Sequence, residues 1–215
     1  MKARRQSLDA LELADGRASA WANIEETQIS LAPSPIALTE SVSPYMSKSV
    51  GHGKVDKLGV RMTHNGTTLS VRLSWRDPDK DDELADLDQF TDGVAVVFPI
   101  RAGASAFTMG SQNKPVNAWF WKADEKYPFD VYAEGYSTSQ RRPGSTSSLT
   151  ATAFHEDRSW TVVFQRPMKV PGEDFVVIDH QLDNAIAFAV WEGSNNERSG
   201  QKSVSGEFVS FSIEG

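Results

Sequence analysis

Between residues 58 and 75, apolar and polar side chains alternate on both sides of Asn65-Gly66. Leu58, Val60 and Met62 lead in, and Leu69, Val71, Leu73 and Trp75 lead out. A period of two puts one set of side chains on one face of an extended strand, which a helix cannot do. Asn-Gly readily takes the positive φ that a type I′ turn needs at both central residues, so the segment predicts a β-hairpin. A second hairpin is expected to join 149–154 to 160–166 through His155-Glu156-Asp157-Arg158-Ser159. Further strands are read at 93–98, 118–122, 131–136, 175–178, 185–191 and 207–213. Those at 93–98 and 185–191 are apolar on both faces. Such strands lie in the middle of a sandwich or carry something on their second face. Helix signals are weak, with room for one or two turns at 79–90. The segment 137–148, with Gln140-Arg141-Arg142-Pro143-Gly144-Ser145, reads as a polar, mobile loop. The expected fold is all-β: a two-sheet antiparallel β-sandwich with short helical turns in its loops, one domain over residues 1–215.

Charge and composition narrow the function. Acidic residues outnumber basic ones 29 to 22, for a net charge of −7, which argues against a nucleic-acid binder. Cysteine is absent, which excludes disulfides, cysteine-ligated iron–sulfur clusters, thiol nucleophiles and c-type haem attachment. No run approaches 18 apolar residues, so no membrane span is expected. The start, Met1-Lys2-Ala3-Arg4-Arg5, looks like a basic signal n-region, but 6–20 contain Asp9, Glu12 and Asp15 and no apolar stretch. From the residues alone the chain is cytoplasmic, already processed, or exported with a partner.

No self-sufficient enzyme signature emerges. His52, His64, His155 and His180 form no i, i+4 pair, and the first three read as turn or loop residues. The acidic run Asp77, Asp79, Asp81, Asp82, Glu83, Asp86, Asp88 alternates like a calcium loop at its start. It lacks the glycine at position six and the glutamate at position twelve, so it reads as a solvated or docking surface. Gly200-Gln201-Lys202-Ser203 imitates only the end of a phosphate loop, since the motif's earlier glycine would fall on Asn196.

Two segments place an aromatic-rich strand beside a glycine-bearing loop. One is Phe107-Thr108-Met109-Gly110-Ser111 with Lys114-Pro115-Val116-Asn117-Ala118-Trp119-Phe120-Trp121-Lys122. The other runs from Ala187-Phe188-Ala189-Val190-Trp191 to Arg198-Ser199-Gly200-Gln201-Lys202-Ser203. Glycines let a backbone approach a large flat ligand closely; equally, the aromatics could be core and the loops only loops. With Gly51-His52-Gly53, Asp92-Gly93-Val94, Ala133-Glu134-Gly135 and Ser205-Gly206-Glu207-Phe208-Val209 in one order over nearly the whole chain, the sequence resembles a known family. It is similar to the γ (haem b) subunit of ethylbenzene dehydrogenase and related molybdenum enzymes of the type II dimethyl-sulfoxide-reductase family. Within that family it resembles the hydrocarbon and sterol side-chain dehydrogenase branch.

The resemblance implies a β-sandwich holding one haem b between a methionine and a lysine, here Met109 and Lys202, with the histidines as bystanders. It also implies an αβγ heterotrimer in the periplasm. There a molybdopterin α subunit oxidises the substrate, an iron–sulfur β subunit relays electrons, and an external acceptor such as a cytochrome takes them from the haem. Export would ride on the α subunit, this chain having no signal peptide of its own. Thioether sulfur is a soft ligand that favours ferrous iron, and lysine can ligate only as the neutral amine, so its pocket must lower its pKa. Phe107, Trp119, Phe188 and Trp191 are expected to surround the porphyrin, and Lys114 or Arg198 to meet its propionates. The rival expectation is a haem-free β-sandwich module of carbohydrate-binding type.

Overall fold

The computed structural model describes residues 1–7, 9–35, 37, 51–84, 86 and 89–215. Fourteen strands dominate it. One layer orders β10 (Thr150–Glu156), β11 (Ser159–Pro167), β5 (Thr68–Arg76) and β4 (Lys57–His64), with β2 (Thr27–Ser30) also on β4. The other orders β9 (Gln140–Pro143), β8 (Phe129–Ala133), β7 (Val116–Lys122), β6 (Gly93–Pro99), β12 (Asn184–Trp191) and β14 (Val209–Ile213). The short β13 (Ser203–Val204) joins β12 to β3 (Ala32–Pro33). Neighbours within each layer are antiparallel, as expected. The exception is β1 (Lys2–Arg5), which pairs in parallel with β14 through Lys2 and Ala3 and with β4 through Arg4 and Arg5. It stitches the two layers into one continuous hydrogen-bonded path. The basic start is thus a strand, with Ala3 fully buried and Lys2 ion-paired to Glu214 at 2.8 Å.

The core fills the space between the layers. Leu58, Val60, Met62, Val71, Val162 and Phe164 from one side meet Val94, Val96, Phe98, Trp119, Ile186 and Phe188 from the other. Trp121 meets Trp160 edge-on across the gap, with ring centroids 4.9 Å apart. A buried polar brace crosses one end. Arg166 donates to Asn117 Oδ1 at 2.9 Å and to the Val176 carbonyl at 2.5 Å, and its guanidinium lies 5.0 Å over Trp119.

Both hairpins form, with different turn chemistry from that expected at the first. Only Gly66 takes positive φ (96°), while Asn65 Oδ1 accepts the backbone N–H groups of Thr67 (3.1 Å) and Thr68 (2.9 Å). The asparagine acts through its side chain, and glycine at the first central position gives a II′-like turn. The second hairpin is the I′ case, with Asp157 and Arg158 at φ 49° and 58°. His155 lies outside that turn, paired with Trp160 in β10, and its ring donates to the Asp77 carbonyl at 2.9 Å. His64 is buried at the end of β4, and His52 is buried with its ring donating to the Ser34 carbonyl at 2.8 Å.

Three other expectations shift. The segment 140–143, read as mobile loop, is strand β9 on β8. The segment 175–178 is no strand; Phe175, Val176 and Ile178 are buried, and Ile178 N–H bonds Met168. Among the described residues of 79–90 there is no helix.

Candidate functional site

Strand alternation builds the site. Having sent Val94, Val96, Trp119, Phe188 and Val190 into the core, β6, β7 and β12 must send Ala95, Val97, Ala118, Phe120, Ala187 and Ala189 out of the other face. A cavity of about 950 Å³ lies over that outer face, near the upper end of the usual range for cofactor pockets. Its floor is low and flat because the paired residues are small: Ala95 faces Ala189, and Ala118 lies between Val97 and Val131. Phe120 and Trp191, 5.1 Å apart, form one wall. Phe90, Leu84, Glu197–Gly200 and Lys202 are also on its lining.

Met109 stands at the cavity on a strained loop tip. It takes φ 56°, unusual for a side chain of its size, and Gly110 follows at φ 82°. The backbone is held from several directions. Met109 N–H donates to Ala106 at 3.2 Å, and the Met109 carbonyl accepts Gly135 N–H at 2.9 Å. The Tyr136 hydroxyl donates to the Phe107 carbonyl at 2.5 Å, and the Thr108 hydroxyl to Gly110 at 2.7 Å. A Cβ on Gly110 would come within 2.8 Å of the Lys114 carbonyl oxygen, so only glycine fits beside the methionine. Such over-determined strain is how a fold fixes a side chain that must point one way.

Lys202 reaches the same cavity from the loop between β12 and β13. Buried Glu197 accepts the N–H groups of Gly53 (2.7 Å) and Lys54 (2.9 Å) on one oxygen and that of Glu192 (3.2 Å) on the other. Buried Asp92 accepts from the N–H groups of Gly193 and Asp81, each at 2.9 Å, and from the Trp160 indole at 2.8 Å. Ser34 N–H donates to the Lys202 carbonyl at 2.9 Å, and His52 holds Ser34 in turn. The Gly51-His52-Gly53 string and the Glu197–Ser203 string, far apart in sequence, therefore serve one purpose, fixing the backbone of Lys202.

The Lys202 ammonium lies 4.7 Å over the Trp191 ring and 3.5 Å from the Ser199 carbonyl. The residue keeps some exposed area, yet desolvation lowers its pKa to about 8 with no carboxylate opposing the shift. Met109 and Lys202 also share the lining of an annex of about 20 Å³, with Phe107, Ala187 and Val204. A soft sulfur and an amine primed to lose its proton thus border a flat-floored apolar space. That donor set fits the two axial positions of a haem iron.

Of the aromatics expected around a porphyrin, Trp191 lines the cavity and Phe107 the annex. Trp119 and Phe188 do not face it. Their strand parity sends both rings into the core, Trp119 against Phe98 at 4.7 Å, and Phe188 only borders the annex. Phe120, one residue past Trp119, is the ring on the cavity side, together with Ala95, Ala118, Ala189, Tyr136 and Arg141, which sequence reasoning missed. Counting parity along β6, β7 and β12 would have found the floor. Arg198 lines the cavity, whereas Lys114 is not part of its lining and lies beside Gly103.

Among the described residues no three His, Cys, Asp or Glu side chains cluster as metal ligands; Asp88 of the acidic run lies outside the described residues. The run's first member, Asp77, is buried. Desolvation, reinforced by the nearby Asp92 and Glu192, pushes its pKa up to about 8.

Comparisons with known proteins bear on the family and the fold. The family model described as ethylbenzene dehydrogenase matches residues 18–146 and 142–203. The chlorate reductase subunit gamma of Ideonella dechloratans is 31% identical over 92% of this chain and 78% of its own length. The "Putative respiratory nitrate reductase heme subunit ORF7" of Haloferax mediterranei is 34% identical over 86% of this chain and 63% of its own length. The dimethylsulfide dehydrogenase subunit gamma of Rhodovulum sulfidophilum is 29% identical over 86% of this chain and 69% of its own. Among solved structures, a family 9 carbohydrate-binding module from Caldicellulosiruptor kristjanssonii aligns with TM-score 0.55 and 10% identity, covering 100% of this chain and 95% of its own. A carbohydrate-binding protein from Bacteroides uniformis aligns with TM-score 0.58 and 9% identity, covering 100% and 98%. At such identities these structures speak to the β-sandwich fold alone. By the match of the family model along most of its length, the chain belongs to the ethylbenzene dehydrogenase family.

Proposed function

We propose that this chain holds one haem b between Met109 and Lys202 and serves as the electron-transfer subunit of a molybdopterin-dependent oxidoreductase. The observation that carries the proposal is the convergence of these two side chains, 93 residues apart in sequence, on one cavity floored by alanines. Three related subunits belong to chlorate reductase, respiratory nitrate reductase and dimethylsulfide dehydrogenase, and one of them is named a heme subunit.

The bound haem would supply reversible one-electron chemistry between ferrous and ferric iron. The rest is the work of the chain. Burial lowers the affinity of Lys202 for its proton, so the neutral amine that ligation needs is easier to reach. Met109 offers a sulfur whose direction is fixed by the αL tip. With Met109 and Lys202 both holding the iron, no position would be left on it for substrate or oxygen, which would confine the subunit to electron transfer. The remaining partners follow: an iron–sulfur β subunit donating electrons, a molybdopterin α subunit oxidising a hydrocarbon or sterol side chain, and an external acceptor such as a cytochrome, assembled in the periplasm.

The visible spectrum of the purified full chain loaded with protohaem tests this. Sharp α and β bands on reduction are expected, and Lys202→Ala and Met109→Ala should each change the ferric spectrum and loosen the haem. A featureless visible region, or variants indistinguishable from wild type, defeats the ligand assignment. A featureless spectrum would favour a haem-free binding module.

A further inference from the structure

The cavity's floor is apolar, with Ala95, Ala118 and Ala189 on it. Besides Lys202, assigned above to the iron, its lining carries Lys122, Arg141 and Arg198. Lys122 is already neutralised, paired with Asp124 at 2.9 Å. The two arginines are different. The Arg141 guanidinium lies 5.1 Å over Phe120 and 5.7 Å from the Phe129 ring centroid, and the Arg198 guanidinium lies 4.4 Å over Phe90. Among the described residues neither guanidinium is ion-paired, and Arg198 Nη1 donates to the Asn196 carbonyl at 3.0 Å.

The neighbour of Arg141 shows that the fold could have done otherwise. Arg142, on the opposite face of β9, is paired with Asp130 at 2.6 Å and Asp174 at 3.4 Å. In a chain with seven surplus negative charges, two arginines facing a cavity against aromatic rings are set up to receive anionic groups from outside the protein. The carboxylates on the same lining do not serve that end. Glu197 is taken up by backbone N–H groups, and Asp86 stands on the loop beside Phe90 with a partner of its own.

We infer that Arg141 and Arg198 are the carboxylate clamp of this site and that they fix the orientation of its ligand. These arginines would receive the two propionates of a bound porphyrin. This rests on the haem reading above. It adds Arg141, on β9, to the Arg198 already expected there, on the loop before β13, and so makes a pair. Because the rings under both guanidiniums pre-order them, little side-chain entropy is lost when the carboxylates arrive.

The test separates the clamp from the haem reading. The full chain and its Arg141→Gln, Arg198→Gln and doubly substituted forms are titrated with protohaem and with its dimethyl ester, which keeps the ring and iron but carries no carboxylates. Each single substitution is expected to weaken protohaem binding about five- to tenfold, the scale of a partly exposed charged pair, and to leave ester binding unchanged. Wild type should prefer protohaem to its ester, and the double variant should lose that preference. Both residues are exposed, so the variants fold, and unaltered ester binding confirms it within the same experiment. Equal weakening toward both porphyrins, or no weakening, overturns the clamp while leaving the haem site standing. A wild-type chain that binds neither porphyrin overturns both.

Discussion

Raising the cavity floor should separate stability from ligand binding. Ala189 lies in the middle of that floor, opposite Ala95, with its methyl group toward the cavity. Ala189→Leu adds three carbons there. At about 0.8 kcal/mol per buried CH₂ the upper limit is ~2.4 kcal/mol. The cavity is open on one side, so about half of that, ~1 kcal/mol, is the expected gain for the unloaded chain. For a domain of this size the gain raises Tm by roughly 2–4 °C. The same side chain occupies the space a planar ligand needs, and protohaem affinity should fall by at least about tenfold, ~1.4 kcal/mol. Thermal unfolding of the unloaded chain and an absorbance titration read the two effects, with Ala189→Gly as the control that leaves the floor open. A fall in Tm would mean overpacking, which costs about 1–3 kcal/mol, and hence a floor that is filled rather than open. Unchanged haem affinity would mean that the ligand does not lie on this face.

Other consequences can be measured independently. Asp77 has its folded pKa raised to about 8, far above its ordinary value. Between about pH 4 and 8 the folded state therefore binds more protons than the unfolded state, and stability should decline as pH rises through that window. Asp77→Asn should flatten that decline in denaturant titrations at several pH values, and an unchanged slope would remove Asp77 as its source. Arg166→Ala removes the donor to Asn117 and Val176 and uncovers Trp119, and should cost about 3–5 kcal/mol in urea unfolding, as breaking buried polar networks does. Gly110→Ala meets both the φ penalty and the Lys114 carbonyl. It should cost about 2 kcal/mol and shift the ferric spectrum of the loaded chain through Met109.

Much of this fold was legible because alternation is a geometric signal. The hairpin 57–76 and the doubly apolar strands β6 and β12 announce themselves, and the second apolar face of β6 and β12 is the cavity floor. The strand β9 was hidden because none of its residues is a core hydrophobe: Arg142 spends its charge on Asp130, and Arg141 looks into the cavity. Strand β1 was hidden for a similar reason, since four residues with one buried alanine carry no periodicity. Trp119 and Phe188 were assigned to the ligand because they are large and near the motifs, although their parity opposed it. Met109 and Lys202 are different again. Nothing in local pattern distinguishes a lysine after Gly200-Gln201 from a solvated one. Its desolvation comes from Trp191 and the cavity, and its position from Glu197, Ser34 and His52, contacts that only the closed fold creates.

The seam made by β1 has a consequence for how the chain reaches this state. Its partners are residues 212 and 213 on one side and 63 and 64 on the other, and the Met1 amino group bonds Ser210, 209 positions away. The strand at 2–5 must therefore wait for the strand at 209–213 before the two layers are joined. Pairings of such separation slow folding, so until residues 209–213 arrive the chain is an open book with its spine unsewn.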